Sequence, residues 1–358
     1  MIQPTALLVF AALLAVAIAW AVPARHALDA VAAWTAVVMA LVAPASALWL
    51  LAAAVLTPLM LGLGERHGHR DLVAALWALV LLAAFVAARL TPGILWIGGA
   101  FFTLRALHVV GDWWMGKLAV PSLRAHLRYQ LFLPVIVAGP IHRFENFERQ
   151  SQRRRWDTPM FFAGMERTLI GAFSALVIGG YVFQRVGSRV DGLTAGWRPF
   201  FQDWAGSAVE WIALYFTFAG FTSVALGISL MIGLRLEENF DRPWAAPNLI
   251  AFWTRWHMTL TGWVRDYVFR PVAAVTRSPL AGLCLAVLAI GLWHEFSVYY
   301  VLWSVWQVLG VVLTRLGQRW LPIAVLPAPA RVVLGPLSVL GWLSLARPVI
   351  NTLLKAVA

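Results

Sequence analysis

The chain is laid out as long apolar runs separated by short polar turns, and each run is a candidate helix across a bilayer. Crossing the hydrocarbon layer takes about 20 consecutive apolar residues. The first run, Pro4 to Val22, is closed by Pro23 and Arg25; no Lys or Arg precedes it, which predicts an uncleaved first span rather than a signal peptide. Leu28 to Gly64 is too long for one span and is predicted to break at Pro44 or Pro58, while Leu72 to Ala88 follows the polar GERHGHRD turn. Phe161 to Phe183, Val209 to Leu234, the charge-free runs on either side of His294 and a segment near Arg331 to Leu345 bring the tally to roughly 10 to 11 membrane elements. No fixed-period repeat and no extended polar linker interrupts them. The expected architecture is all-α and polytopic, one membrane-embedded domain over residues 1–358 with its chemistry-bearing core at about 128–310.

Some segments break the pattern. Gly93 to Trp114 carries Arg105, His108 and Asp112, and the last two are four apart, so on a helix they share a face and pair. Leu131 to Ile141 is apolar but too short to span. It runs into HRFENFERQSQRRRW, where Arg143, Arg149, Arg153, Arg154 and Arg155 accumulate. The positive-inside rule puts this loop on the cytoplasmic side; its guanidinium groups also suit the phosphates of a coenzyme A or phosphopantetheine donor. Two crossings later, Arg235, Arg242, Arg255, Arg265, Arg270 and Arg277 fall on the same side, so charge and crossing parity agree.

Composition narrows the class. Hydrophobic residues make up 61% of the 358 positions and charged residues 12%, far from the balance of a soluble domain. The net charge of +12 comes almost wholly from arginine, lysine standing only at Lys117 and Lys355. With no nucleic-acid-binding pattern, membrane lipid headgroups or a phosphate-bearing substrate account for this charge better than nucleic acid does. The single cysteine, Cys284, excludes an internal disulfide framework and a cysteine-based metal site; set among leucine and alanine, it is expected to be buried packing.

Candidate chemistry concentrates between Glu238 and His294. Asn248 to Val268, turned as one helix, gathers Trp253, Trp256, Leu260, Trp263, Val264 and Tyr267 on an aromatic face that includes His257, with Thr254, Arg255, Thr261, Arg265 and Asp266 opposite. His294 ends a run with no charge back to Arg277, and Glu295 follows it. An imidazole titrates near neutral pH and can take the proton of a hydroxyl attacking a thioester carbonyl. No G-x-S-x-G or Ser-His-Asp arrangement is present, so direct transfer without a serine acyl-enzyme is expected.

The segments ENFDRPW at Glu238–Trp244, FWTRWHMTL at Phe252–Leu260, WVRDYVFRPV at Trp263–Val272 and GLWH at Gly291–His294, together with VAGPIHRFENF at Val137–Phe147, resemble the membrane-bound O-acyltransferase superfamily, in particular the bacterial branch that acylates polysaccharides and teichoic acids. That resemblance implies a ring of tilted helices around a tunnel, in the bacterial cytoplasmic membrane. It implies His294 as catalytic base and His257 as a second functional histidine. Asn239, Trp253, Trp256, Arg255, Glu295 and Arg143 are the positions expected to meet substrate. No bound cofactor and no metal are expected; the donor is an acyl-CoA or acyl-carrier-protein thioester. The partners implied are that donor, a glycan or other hydroxyl acceptor, membrane lipids and proteins of polysaccharide modification. Two departures stand out: Glu295 occupies a position where the branch commonly has glycine, and Phe216–Gly227 lacks the acidic residues often found before ENF. The alternatives are a transporter or flippase using intramembrane histidines, which matched halves would mark, and a catalytically silent scaffold; no such symmetry is found.

Overall fold

The structure, a computed structural model, describes residues 4–91, 96–320 and 328–357 and contains helices but no strand among them. Residues 93–95, the start of the segment expected over Gly93 to Trp114, lie outside the described residues. In order the helices are α1 Pro4–Ala21, α2 Ala24–Val42, α3 Pro44–His67, α4 Arg70–Leu90, α5 Gly99–Trp114, α6 Leu123–Gln130, α7 Phe144–Gln152, α8 Thr158–Ala172, α9 Phe183–Leu193, α10 Pro199–Ile232, α11 Leu249–Arg255, α12 Met258–Val264, α13 Arg270–Thr276, α14 Pro279–His294, α15 Val298–Trp320 and α16 Ala328–Val357. Wider π-helical turns at 173–182 join α8 to α9 and at 265–269 join α12 to α13.

Among the described residues seven helices are long and apolar enough to cross a membrane, and Leu7–Ala21 and Pro279–His294 are shorter apolar helices. Large side chains such as Leu41, Leu48, Leu79, Leu169, Leu176 and Val305 point outward and are more than half exposed. A water-soluble chain does not carry such a continuous apolar exterior, whereas hydrocarbon solvates it; the protein is a polytopic membrane protein.

The chain divides into two compact units, residues 1–170 with 221–237, and residues 171–220 with 238–358. In the first, the long apolar stretch breaks at Ala43, because Pro44 is well placed as the first residue of α3, where its missing N–H costs nothing. Pro58 lies inside α3 without breaking it, beside Thr57, whose hydroxyl accepts from the Trp77 indole at 3.1 Å. The arginine-rich loop is tied to the end of α10: Arg154 donates to the Ile232 carbonyl at 2.6 Å and lies over Trp20 at 3.9 Å, Asn146 donates to Glu237 at 2.7 Å, and Gln150 bonds both backbone groups of Arg235. Arg235 thus lies against the arginine-rich loop.

Beneath that loop a polar knot is packed into the core. Arg105, fully buried, donates to the carbonyls of Tyr129 and Gln130 at 3.2 and 3.1 Å, and the Tyr129 hydroxyl donates to the His142 carbonyl at 2.6 Å. His126 donates from Nδ1 to the Ala54 carbonyl at 2.7 Å. Burial holds the His126 imidazole down at about 4 and pushes His142 well below its ordinary range. In the unfolded chain both rings take up protons near pH 6.5. Between pH 6.5 and 4 the unfolded state therefore binds more protons, and stability falls as pH falls; His126 alone accounts for about 3 kcal/mol by the lower limit. The detergent-solubilised protein is expected to melt at progressively lower temperature through this window, with a shallower slope in His126→Gln. A melting point that rises on acidification would contradict the assignment.

In the second unit α10 and the π-helical segment meet backbone to backbone. A Cβ on Gly220 would fall 2.6 Å from the Ala175 nitrogen and 2.7 Å from the Gly171 carbonyl oxygen, so only glycine allows this approach, a common device where helices pack without a hydrophobic drive. The core of the unit is aromatic: Phe252 and Trp256 with Leu249, Val311, Val339 and Leu343, flanked by Trp211, Tyr215, Phe218 and Phe240. A second cluster gathers Trp303, Ala346 and Ile350.

Candidate functional site

The stretch expected to be one helix from Asn248 to Val268 is in fact interrupted. Asn248 caps α11, its side chain accepting from the Ala251 N–H at 2.9 Å. The helix stops at Arg255, and His257 adopts left-handed φ 44°, ψ 52° before α12 begins. No proline or glycine marks this break. It is held by the segment after α10: the Asp241 N–H donates to the Arg255 carbonyl at 3.0 Å and the Met258 N–H to the Asn239 carbonyl at 2.8 Å. A non-glycine residue in this conformation costs on the order of 1–3 kcal/mol, and such residues gather at functional sites. The inward and outward faces still sort as the periodicity suggests: Trp256, His257, Leu260, Trp263 and Val264 are buried, Trp253 half-buried, Thr254 and Arg265 exposed.

The break turns the His257 ring onto Asn239, and the bond has a definite direction. Asn239 Oδ1 receives the Thr259 backbone N–H at 3.3 Å and the Thr259 hydroxyl at 2.8 Å; a backbone N–H can only donate, so this atom is the amide oxygen. His257 Nδ1, 3.1 Å from the same oxygen, must therefore carry its proton, which leaves the Nε2 lone pair as the basic position. Asn239 is fully buried, and its Nδ2 has no hydrogen-bond partner among the described residues. Burial, with the nearby His294 adding to it, pushes the His257 imidazole down to about 3, so this ring is neutral at physiological pH. Asn239→Leu removes the acceptor of three donors and is expected to cost about 2 kcal/mol, read as a lowered unfolding midpoint in detergent; an unchanged midpoint would show that the amide anchors nothing.

His294 closes α14, whose start is capped by Ser278 accepting from the Ala281 N–H at 3.2 Å with Pro279 as the first helical residue. Its ring is exposed, stacked on Tyr300 (centroids 5.6 Å, 12° between planes) and edge-on to Trp303 at 6.2 Å. Trp293 joins the two histidines, its indole edge-on to His257 at 5.8 Å and to His294 at 4.8 Å. Asn239, Trp253, Trp256, His257 and His294 are thus brought into one aromatic neighbourhood: Trp256 stacks on Phe252 at 5.4 Å and meets Phe240 at 5.1 Å, and Trp253 meets Trp303 at 5.9 Å. An apolar cavity of about 480 Å³ adjoins Trp256, between Trp211, Tyr215, Pro243 and Leu340. Arg255 is half-buried and contributes its carbonyl to the break. Glu295 is exposed and closes α14 through its backbone N–H, which donates to the Gly291 carbonyl at 3.1 Å.

Arg143 belongs to the other unit. It precedes α7 and lies 3.3 Å from His108 Nδ1. His108 accepts the Phe144 N–H on Nε2 at 3.0 Å and pairs through Nδ1 with Asp112 at 3.1 Å, the expected i, i+4 pair; its contacts anchor the loop before α7. Cys284 corrects an expectation. It is exposed rather than buried, because α14 turns that face outward from Gly282 and Ala286. The sequence reading also missed Asp203, Glu210 and Arg347. Arg347 donates to Asp203 at 2.6 Å and to Glu210, and Asn351 donates to Asp203 at 2.9 Å. Asp203 and Glu210 lie on α10 before Phe216–Gly227. Charged residues on helices of spanning length were the available signal.

A neutral imidazole held by an amide and a second imidazole across one indole thus lie together in an apolar surround. Residues 115–346 match the model of the MBOAT, membrane-bound O-acyltransferase family, and the chain belongs to that family. Over 259 residues it is 29% identical to a probable alginate O-acetylase of Pseudomonas aeruginosa, covering 71% of this chain and 49% of that protein. It is similar to the teichoic acid D-alanyltransferase of Bacillus subtilis, 26% identical over 246 residues with 63% and 60% of the two chains covered. It is also similar to the peptidoglycan O-acetyltransferase of Helicobacter pylori, 30% identical over 192 residues with 51% and 36% covered. The chain spans about half the length of the curated relatives it matches.

Proposed function

We propose that the protein is an O-acyltransferase of the bacterial cytoplasmic membrane that moves an acetyl, D-alanyl or similar acyl group from a cytoplasmic thioester, coenzyme A or a carrier protein, to a hydroxyl of an extracytoplasmic glycan, lipid or related acceptor. The observation that carries it is the pairing of two unlike imidazoles across Trp293: His257 neutral and locked by Asn239, His294 exposed at a helix end. Family membership and the O-acetyl and D-alanyl transferases among the relatives support the same reading.

His294 takes the hydroxyl proton as the acceptor oxygen attacks the thioester carbonyl. The C–O bond forms, the C–S bond breaks, and the thiolate leaves with the proton returned from the imidazolium. His257, unable to hold a charge in its buried position, serves as a neutral acceptor that orients a reacting group. Some of the arginines at 143–155, Arg143 among them, meet the phosphates of the donor, and Trp253, Trp256 and Arg255 contact substrate. Proteins that carry or modify the acceptor polysaccharide are the partners this activity requires.

Membranes containing the protein are expected to pass label from acetyl-CoA or from a D-alanyl carrier protein into an alkali-labile ester. Absence of oxygen-ester product with either thioester, across glycan and lipid hydroxyl acceptors, would overturn the proposal.

A further inference from the structure

Beside His294 lies a second cavity, about 380 Å³, that differs in chemistry from the apolar one. Tyr299, Tyr300 and Trp303 form one side; Ser207, Glu210 and Arg347 form the other. Its size falls in the range of small-molecule sites. Two of the aromatic residues are the ones the His294 ring rests against, Tyr300 in parallel stacking and Trp303 edge-on.

The polar side is built rather than incidental. Arg347 is clamped by Asp203 through its Nε and through the Asp203 carbonyl, at 2.6 and 3.0 Å, and by Glu210 through another nitrogen. Asn351 holds the remaining Asp203 oxygen at 2.9 Å. Asp203 is therefore spent on the scaffold, whereas the Glu210 side chain is 68% exposed and turned to the cavity. Two carboxylates face one guanidinium, leaving the site one unit negative. Asp203 and Glu210 sit in the first turns of α10, and Arg347 and Asn351 on α16.

We infer that this cavity is the acceptor subsite, and that it takes a hexose unit without a carboxylate, a neutral or amino sugar, rather than a uronate. The inference rests on the acyl-transfer reading above. Flat aromatic faces pack against the C–H face of a pyranose, while an exposed carboxylate and a hydroxyl receive its O–H or ammonium donors. A uronate brings a second negative charge to a site that already carries an excess one and is repelled. A sugar seated against Tyr299 and the edge of Tyr300 lies next to the aromatic pair that holds the His294 ring.

Calorimetric titration of the full-length protein in detergent tests this with three probes: cellotetraose, the glucosamine tetramer and tetraglucuronate. The expected result is binding of the first two, with tetraglucuronate weaker by about tenfold or more. Glu210→Gln is expected to weaken the glucosamine tetramer about tenfold and to narrow the discrimination against tetraglucuronate, and Tyr299→Ala to weaken both sugars. Tetraglucuronate binding as well as or better than the others, no binding by any probe, or binding indifferent to both variants would overturn the inference. Because the readout is binding, sugars that seat in the cavity of a protein that never turns over a thioester would sink the acyl-transfer reading and leave a sugar site without an acceptor role.

Discussion

Replacing His294 by alanine is expected to lower acyl transfer by about 10²–10⁴-fold, the contribution of a positioned general base, while the protein remains folded. The ring lies exposed on Tyr300 and Trp303, so truncation opens no cavity in the core and the unfolding midpoint should hold. His257→Ala provides the contrast. That ring is buried at 3% exposure and bonded to Asn239, so its loss unsettles the break between α11 and α12 and lowers stability together with activity. Measuring label transfer and melting in both variants separates the roles. Full activity in a folded His294→Ala protein would remove that residue from the chemistry.

Gly291→Ala should come second in size, although glycine has no side chain to offer chemistry. A Cβ there would fall 2.7 Å from the Tyr300 carbonyl oxygen and collide with the Ser304 hydroxyl, which donates to Tyr300 and Val287 carbonyls at 2.8 and 3.2 Å. The hydroxyl can rotate, but the carbonyl belongs to the backbone of α15 and cannot. The two helices must separate, at about 1–3 kcal/mol for overpacking. The same displacement carries His294, three residues on, away from its ring partners, and a misplacement near 1 Å is enough to reduce a rate about 100-fold. Expected together are a lowered melting point and a rate that falls with little change in donor KM. Wild-type turnover in Gly291→Ala would mean that the α14–α15 contact does not set the position of the base.

The spans were legible because hydropathy is a local property: Pro4–Ala21, Arg70–Leu90 and Pro279–His294 begin and end within a few residues of where the apolar runs do. So was the His108–Asp112 pair, which needs only helical spacing. The break at His257 was not, since no local signal competes with the helix there and the interruption is imposed by backbone bonds from Asn239 and Asp241. The tautomer of His257 was equally out of reach, because it depends on which atoms Thr259 donates to. Asp203, Glu210 and Arg347 are far apart in sequence, 144 positions between the first and last, and only folding reveals that they neutralise one another in part. The outward turn of Cys284 follows from which face of α14 packs, a fact that composition does not carry.

The shortness of α14 has a consequence for depth. Sixteen residues make a rod of roughly 24 Å, against roughly 30 Å of hydrocarbon, so α14 alone is shorter than a full bilayer crossing. A helix of this length that enters from one face leaves its last residue, here His294, several ångströms short of the other.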